Sequence, residues 1–107
     1  MVTIEDFQQF EFVTATIKSV EDHPNADKLY VLKLDLGNEE RQIVAGIKSG
    51  YTKEELIGKQ IVIIKNLEPA VLRGVQINGM LLAASNKEGK VVLITTEKKI
   101  EDNSKVR

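Results

Sequence analysis

Residues 66–85, NLEPAVLRGVQINGMLLAAS, constrain the fold more than any other stretch of the chain. The segment holds an Arg73-Gly74 pair and a second glycine, Gly79, and then continues as the apolar run 80–84. Glycine is the residue of tight turns and of close backbone approaches. The pattern predicts a loop at the mouth of a small β-barrel, followed by a buried strand that is the last of that barrel.

Three further strands are predicted before this loop, at residues 12–21, 29–37 and 41–45, because β-branched and apolar residues dominate them. Turn-forming residues at 22–28 and 37–39 separate the three strands. Period-two alternation then sorts the side chains by face. In the second strand, the side chains predicted to point inward are Tyr30, Leu32, Leu34 and Leu36. In the first strand, one face carries Val13, Ala15, Ile17 and Ser19, and the other carries Thr14, Thr16, Lys18 and Val20.

Two short helices are predicted from capping residues. Thr3 is a plausible N-cap for a helix over residues 3–10, and Thr52 with Glu55 forms a capping box for a helix of about two turns. Strands at 60–65 and 80–85 follow, then a hairpin turn at 86–89 and a tail along the surface.

Three strands, a helix and two strands is the order of the OB-fold, a five-stranded Greek-key barrel. The predicted fold class is therefore all-β with short helices, in one domain over residues 1–107. Within it, residues 11–85 are assigned to the barrel, and residues 1–10 and 86–107 are extensions.

Composition excludes several classes of function. The chain has no cysteine, so disulfides and thiolate metal sites are excluded. The start carries no signal-peptide pattern and no apolar run approaches the length of a membrane span, which predicts a cytoplasmic protein with no membrane partner. The net charge is −1, so any nucleic-acid binding must use a local patch of cations rather than a global field.

No catalytic residue, metal or cofactor is predicted. His23 is the only histidine, and it has no second histidine or cysteine as a metal-binding partner. It also has no nucleophile beside it in sequence, and it is interpreted as part of a turn. No phosphate-binding loop of the Walker type is present.

Three motifs resemble a known family: HPNADKL at 23–29, RQIVAG at 41–46, and NL-x-P-x-x-LRG-x-x-x-x-GMLLAAS at 66–85. Together they resemble the tRNA-binding OB-fold domain of the methionyl-tRNA synthetase C-terminal or β-subunit family. Its relatives include free structure-specific tRNA-binding proteins, a eukaryotic synthetase cofactor and a bacterial export chaperone. The resemblance extends from about residue 6 to residue 107.

The resemblance implies non-catalytic, structure-specific tRNA binding as the C-terminal or β component of methionyl-tRNA synthetase. The implied partners are tRNA, the catalytic chain of that synthetase and a second copy of this chain, with residues 1–10 and 86–107 forming the homodimer. The residues that it assigns to the tRNA-binding face, in part from the basic character of neighbouring positions, are Lys28, Arg41, Gly46, Lys48, Lys65, Asn66, Arg73, Gly74, Asn78, Gly79 and Met80.

Structural roles are the alternatives at these positions. The Arg-Gly pair is also typical of a tight turn with a solvated arginine, and Asn66 is common at the end of a strand. Lys28 and Arg41 are candidates for surface ion pairs with nearby acidic residues. Met80 is typical of core filling.

Four positions depart from the family pattern: Val13, Thr16 and Val71 stand where the family has cations, and Ile77 where it has serine. Each neutralised phosphate changes the salt slope by roughly 0.7, so losing about three cations would weaken binding by roughly one to three orders of magnitude. We therefore expect tRNA binding to be weak for the module alone. The alternative function is a dimeric, export-chaperone-like peptide-binding protein, which a more apolar barrel face favours. Met1 favours a free protein over an excised domain.

Overall fold

The computed structural model describes all 107 residues. Two short helices and ten strands follow one another along the chain. The helices are α1 (Ile4–Gln8) and α2 (Lys53–Leu56), and the strands are β1 (Phe12–Asp22), β2 (Tyr30–Asp35), β3 (Glu40–Ala45), β4 (Gln60–Ile64), β5 (Ala70–Leu72), β6 (Val75–Ile77), β7 (Met80–Leu81), β8 (Ala83–Ser85), β9 (Val91–Leu93) and β10 (Lys105–Val106).

Five strands form a nearly closed antiparallel barrel in the order β3-β2-β1-β4-β7. The open side of the barrel lies between β7 and β3. It is bridged where the Asn78 N–H donates to the Gln42 carbonyl at 2.8 Å. This arrangement confirms the predicted five-stranded OB-fold, with β5–β6 and β8–β9 as two additional hairpins outside the main sheet.

The barrel interior confirms the predicted inward face of β2, since Tyr30, Leu32, Leu34 and Leu36 are all buried. The face assigned to Val20 was wrong. The register of β1 against β2 shifts between Ile17 and Ser19, and one extra residue there reverses the alternation. As a result Val20 joins Ile17 in the core, and Ser19 is only half-buried.

The predicted N-cap at Thr3 and the predicted capping box at Thr52 are confirmed. Each threonine exchanges two hydrogen bonds with the acidic residue three positions later, so Thr3 also forms a capping box, which was not predicted. The second helix has four residues and so makes about one turn rather than the predicted two. It ends because Ile57 is extended, which lets the Gly58 N–H donate to the Ile17 carbonyl at 2.8 Å.

The predicted buried strand over 80–85 was also wrong. Its first part, β7, pairs with β4, whereas its second part, β8, pairs with β9 in a separate hairpin. Leu82 connects the two, with its N–H donating to the Val62 carbonyl and its own carbonyl accepting from Ile94. The small residues of β8 are exposed on this hairpin.

The C-terminal tail lies along the surface beside β1, as predicted. Its strand β10 pairs with the start of β1. Thr14, which is buried, donates through its hydroxyl to the Glu101 carbonyl at 2.8 Å and accepts there from the Ser104 N–H at 3.0 Å. The Asn103 N–H donates to the Thr14 carbonyl at 2.7 Å, so one residue of β1 holds much of the tail.

Gly79 allows the chain to enter β7, and alanine there should destabilise the barrel. Its φ is +127°, and an added Cβ would lie 3.0 Å from the Ile64 carbonyl oxygen. We expect Gly79→Ala to lower the free energy of unfolding by about 3 kcal/mol, measured by urea titration.

Gly89→Ala is the matched control for this prediction. Gly89 has a φ of +84°, but nothing lies within 4 Å of an added Cβ. Its alanine variant should lose only about 1 kcal/mol, since it carries the backbone strain without the steric contact. Equal losses in the two variants would show that the close approach to Ile64 contributes nothing.

Candidate nucleic-acid interface

The β5–β6 hairpin displays the Arg73-Gly74 pair at its tip. Leu72 pairs with Val75, which leaves Arg73 and Gly74 as a two-residue loop with φ values of 50° and 89°. Positive φ at both positions is the signature of a type I′ turn, the turn that matches the twist of paired strands. The tight turn predicted at the Arg-Gly pair is therefore confirmed. The arginine at this turn is exposed and makes no ion pair.

The turn at 23–29 lies against this hairpin. The Asn25 N–H donates to Nδ1 of His23 at 3.0 Å, so the ring proton is on Nε2, which donates to the Leu72 carbonyl at 3.0 Å. The Asn25 side-chain amide donates to the Arg73 carbonyl at 3.1 Å. Sequence analysis assigned His23 to the turn but missed this contact, because the partners lie almost fifty residues apart.

Lys28 and Arg73 come together at one depression. Both side chains are exposed and neither is paired with a carboxylate, so the ion pair between Lys28 and Asp27 is not formed. The depression has a volume of about 390 Å³ and is lined by Asn25, Ala26, Asp27, Lys28, Leu29 and Arg73. Two motifs that are distant in sequence thus contribute one unpaired cation each to the same place.

Lys28 also borders a second depression, together with Gly46 and Lys48. Lys48 is less free than Lys28. Its ammonium lies 2.8 Å from a carboxylate oxygen of Asp22 and 5.5 Å from the centre of the Tyr30 ring. This cation therefore has a competing acidic partner within the chain.

Arg41, Lys65 and Asn78 form a separate cluster where β3, β4 and β7 meet. Arg41 donates to the Lys65 carbonyl at 2.9 Å and to the Asn78 side-chain oxygen at 3.1 Å, and its guanidinium lies 3.3 Å from the Glu39 carboxylate. Its side chain is only 14% exposed. The Lys65 ammonium lies 3.7 Å from the same carboxylate. The predicted alternative of an ion pair for Arg41 is confirmed, and its guanidinium bridges the edge of the barrel.

The remaining predicted site residues differ in exposure. The Asn66 side chain accepts from the Glu11 N–H at 2.9 Å and donates to the Gln9 carbonyl at 2.7 Å, so both ends of its amide hold the segment between α1 and β1. Gly79 is buried. Met80 is 49% exposed, so its interpretation as core filler was wrong.

The four departures from the family pattern lie in two different places. Val13 is buried in the core, and the Thr16 hydroxyl donates to the Asp102 carboxylate in the tail at 2.6 Å. Val71 and Ile77 instead line a groove beside the hairpin, and Val71 is 64% exposed. Of the three positions that lack the family's cation, only Val71 lies on the hairpin that carries Arg73.

No helix of the structure combines the length and the hydropathy that crossing a membrane as a helix requires. No group of three or more His, Cys, Asp or Glu side chains is placed to hold a metal ion.

Comparison with known families gives one match over most of the chain. Residues 12–105 match the family described as a putative tRNA binding domain. Over 106 residues, the chain is 49% identical to the methionine–tRNA ligase of Thermococcus onnurineus. The alignment covers 99% of this chain but 14% of the ligase, so the chain spans about one seventh of the length of that relative.

Solved structures show the same fold. The MetRS related protein from Pyrococcus horikoshii superposes with a TM-score of 0.92 at 34% identity, covering 100% of this chain and 98% of that one. The chaperone CsaA from Bacillus anthracis superposes with a TM-score of 0.93 at 28% identity, covering 100% and 99% of the two chains.

Asp22 links two lysines, and its removal should show as a change in acid stability. Hydrogen bonds from Lys48 and Lys53 lower the pKa of the Asp22 carboxyl below its usual value of 3.8. The stabilisation is present above that value and is lost as the pH falls through the lowered pKa. Asp22→Asn should therefore unfold at a lower urea concentration than the unaltered chain at pH 7, and the difference should shrink at pH 3.

Glu21→Gln is the control, because Glu21 is the adjacent exposed acid and forms no ion pair. It should match the unaltered chain at both pH values. A difference between Asp22→Asn and the unaltered chain that stays constant with pH would contradict the assignment of the effect to the carboxylate.

Proposed function

The chain belongs to the tRNA-binding domain family, and from that premise we propose that it is a non-catalytic module that binds tRNA for a methionyl-tRNA synthetase. The observation that carries the proposal is the depression between two turns, where Lys28 and Arg73 meet without carboxylate partners. The similarity to a methionine–tRNA ligase supports association with such a synthetase, and the role we propose is that of its C-terminal or separate β component.

The chemistry of this depression suits phosphate groups. A guanidinium donates forked hydrogen bonds to phosphate oxygens, and an ammonium adds a second positive charge. The backbone beneath both side chains is held in turns, so little conformational freedom is lost there on binding. In a chain with net charge −1, such a local patch supplies the attraction that the molecule as a whole lacks.

The form of recognition is shape and backbone rather than base stacking. Stacking of unpaired bases requires exposed aromatic side chains. Tyr30 is buried, and the exposed aromatic residues Phe7 and Phe10 line the depression beside the tail, whereas the depressions at Lys28 have no aromatic lining residue. The module therefore fits a structured RNA surface such as the outer corner of tRNA, read through phosphates and riboses.

Attachment to a catalytic chain makes a weak module useful. Arg41, Lys48 and Lys65 are each paired with Asp22 or Glu39, so Lys28 and Arg73 are the cations of the predicted tRNA-binding face that form no ion pair. A module with few phosphate contacts binds weakly alone. Joined to a synthetase that also binds tRNA, it raises the effective concentration of tRNA at the catalytic site.

The same module is proposed to form a homodimer through its extensions. Ile4, Phe7 and Phe10 carry exposed apolar side chains on and beside α1, and Ile4 is 70% exposed. They border a depression of about 560 Å³ whose other side is formed by the tail residues Lys105, Val106 and Arg107. A second copy packed on this surface would remove apolar area from water.

Peptide binding is the second candidate function. The groove beside the hairpin is lined by Val71 and Ile77 and by the polar side chains of Gln42 and Gln76. A groove that combines apolar and polar side chains suits an extended peptide segment. The structural similarity to the chaperone CsaA also supports this candidate.

Neutralising the two free cations should weaken tRNA binding and its dependence on salt. Each phosphate contact contributes roughly 0.7 to 0.9 to the slope of log K against log salt. We expect Lys28→Gln with Arg73→Gln to reduce that slope by about 1.5 and the affinity at 0.1 M salt by about tenfold or more. Filter binding with unmodified tRNA over a range of salt concentrations measures both.

Lys87→Gln is the control for charge, because Lys87 is an exposed, unpaired cation in the β8–β9 turn. It should leave the slope nearly unchanged. The proposal is contradicted if the unaltered chain does not bind tRNA at low salt, or if the control weakens binding as much as the double variant. Salt-insensitive binding of an extended peptide would favour the second candidate.

A charge placed on the apolar surface of α1 should separate the proposed dimer. Ile4→Glu puts an acid in the first turn of α1, where it suits the helix dipole and should not unfold the helix. Sedimentation at micromolar concentration should show a dimer for the unaltered chain and a monomer for the variant.

Ile57→Glu is the corresponding control, since Ile57 is 54% exposed and lies outside both extensions. It should remain a dimer. A monomeric unaltered chain would refute the proposed homodimer, and separation by Ile57→Glu alone would place the interface elsewhere.

A further inference from the structure

We infer that His23 is a positioning residue for the RNA-binding face: its hydrogen bond to the Leu72 carbonyl holds Arg73 beside Lys28. The inference rests on the proposed function and adds to it a buried residue that acts through the backbone of the hairpin. It also gives a role to the histidine of the HPNADKL motif, in addition to the role of the lysine, Lys28.

The imidazole of His23 is fixed on both sides. The residue is 5% exposed, and each ring nitrogen has one backbone partner at 3.0 Å: Nδ1 accepts from the Asn25 N–H and Nε2 donates to the Leu72 carbonyl. A buried polar ring with both nitrogens satisfied has one preferred orientation, because any other leaves a buried donor or acceptor without a partner. The ring is therefore a rigid link between the two segments.

The hairpin has few other links to the barrel on this side. Strand β6 is anchored through Gln42, whose side chain donates to the Gln76 carbonyl at 2.9 Å. Strand β5 and the turn receive hydrogen bonds from outside the hairpin only at the carbonyls of Leu72 and Arg73, from His23 and Asn25. A two-stranded hairpin is at best marginally stable by itself, so these bonds determine where its tip lies.

The bond from His23 connects the two segments that carry the unpaired cations Lys28 and Arg73. Arg73 immediately follows the carbonyl that His23 holds, and Lys28 belongs to the same turn as His23. Arg73 also has a φ of 50°, a conformation that a non-glycine residue adopts only when its surroundings favour it. Loss of the His23 bond would free the tip and change the separation of the two charges that contact phosphates.

Two conservative substitutions at His23 test the hydrogen bonds of the two ring nitrogens separately. In His23→Gln, the side-chain amide nitrogen reaches the position of Nε2 and keeps a donor for the Leu72 carbonyl. In His23→Asn, the shorter side chain keeps an acceptor for the Asn25 N–H but does not reach Leu72. If the bond to Leu72 positions Arg73, tRNA affinity should fall about tenfold in His23→Asn and about twofold or less in His23→Gln.

A double-mutant cycle distinguishes positioning from a general loss of stability. When His23→Asn has already displaced the tip, adding Arg73→Gln should weaken tRNA binding by less than twofold further, whereas additive losses would overturn the inference. Thr14→Val is the stability control. It removes two buried hydrogen bonds to the tail and should leave the tRNA affinity unchanged.

Amide chemical shifts of Arg73 and Gly74 give a readout that does not depend on RNA. They should move in His23→Asn and remain close to those of the unaltered chain in His23→Gln. Unmoved shifts in His23→Asn, or equal loss of tRNA affinity in the two variants, would overturn the inference. Absence of tRNA binding by the unaltered chain, with the shifts changing as expected, would instead refute the proposed function and leave His23 as a structural link only.

Discussion

The bend in β1 is the constraint on which the rest of the molecule depends. This strand pairs with β4 through its first half and with β2 through its second half, and the register shift lies between Ile17 and Ser19. A bulge increases local twist and bends a strand, which allows one strand to join both sides of a small barrel. The same strand carries the C-terminal tail along its first residues. The positions of the barrel strands, of the tail and of the turn that carries His23 therefore all depend on β1.

The parts of the fold that could be predicted from sequence are those governed by neighbours along the chain. The alternation in β2, the N-cap at Thr3 and the capping box at Thr52 depend on residues two to four positions apart, and they formed as expected. The errors arose where a distant partner decides the outcome. Val20 changed face because of the register against β2, and residues 80–85 divided because Ala83–Ser85 found a separate partner in β9. The motif order still identified the OB-fold, because it reflects the succession of elements rather than their exact limits.

In the candidate site, too, sequence predicted what depends on local motifs and missed what depends on distant partners. The motifs supplied the cations, but sequence could not separate free cations from paired ones. Asp22 and Lys48 are far apart along the chain and yet form a pair at 2.8 Å, whereas Lys28 does not pair with the adjacent Asp27. The link from His23 to Leu72 had no sequence signal either, because hydrogen bonds between distant turns follow from the tertiary structure alone. Within the predicted face, the structure shows unpaired cations only around two turns, at Lys28 and Arg73.

The backbone at Arg73 implies a conflict between stability and function. Its φ of 50° belongs to a region in which asparagine and glycine are favoured, and an arginine there costs about 1 kcal/mol relative to them. A chain selected only for stability would carry Asn-Gly at this turn, the preferred pair for a type I′ hairpin. Retaining arginine keeps the charge at the tip at the expense of local backbone energy. Under the proposed function, designs that follow turn statistics at this position would therefore give a more stable barrel that binds tRNA more weakly.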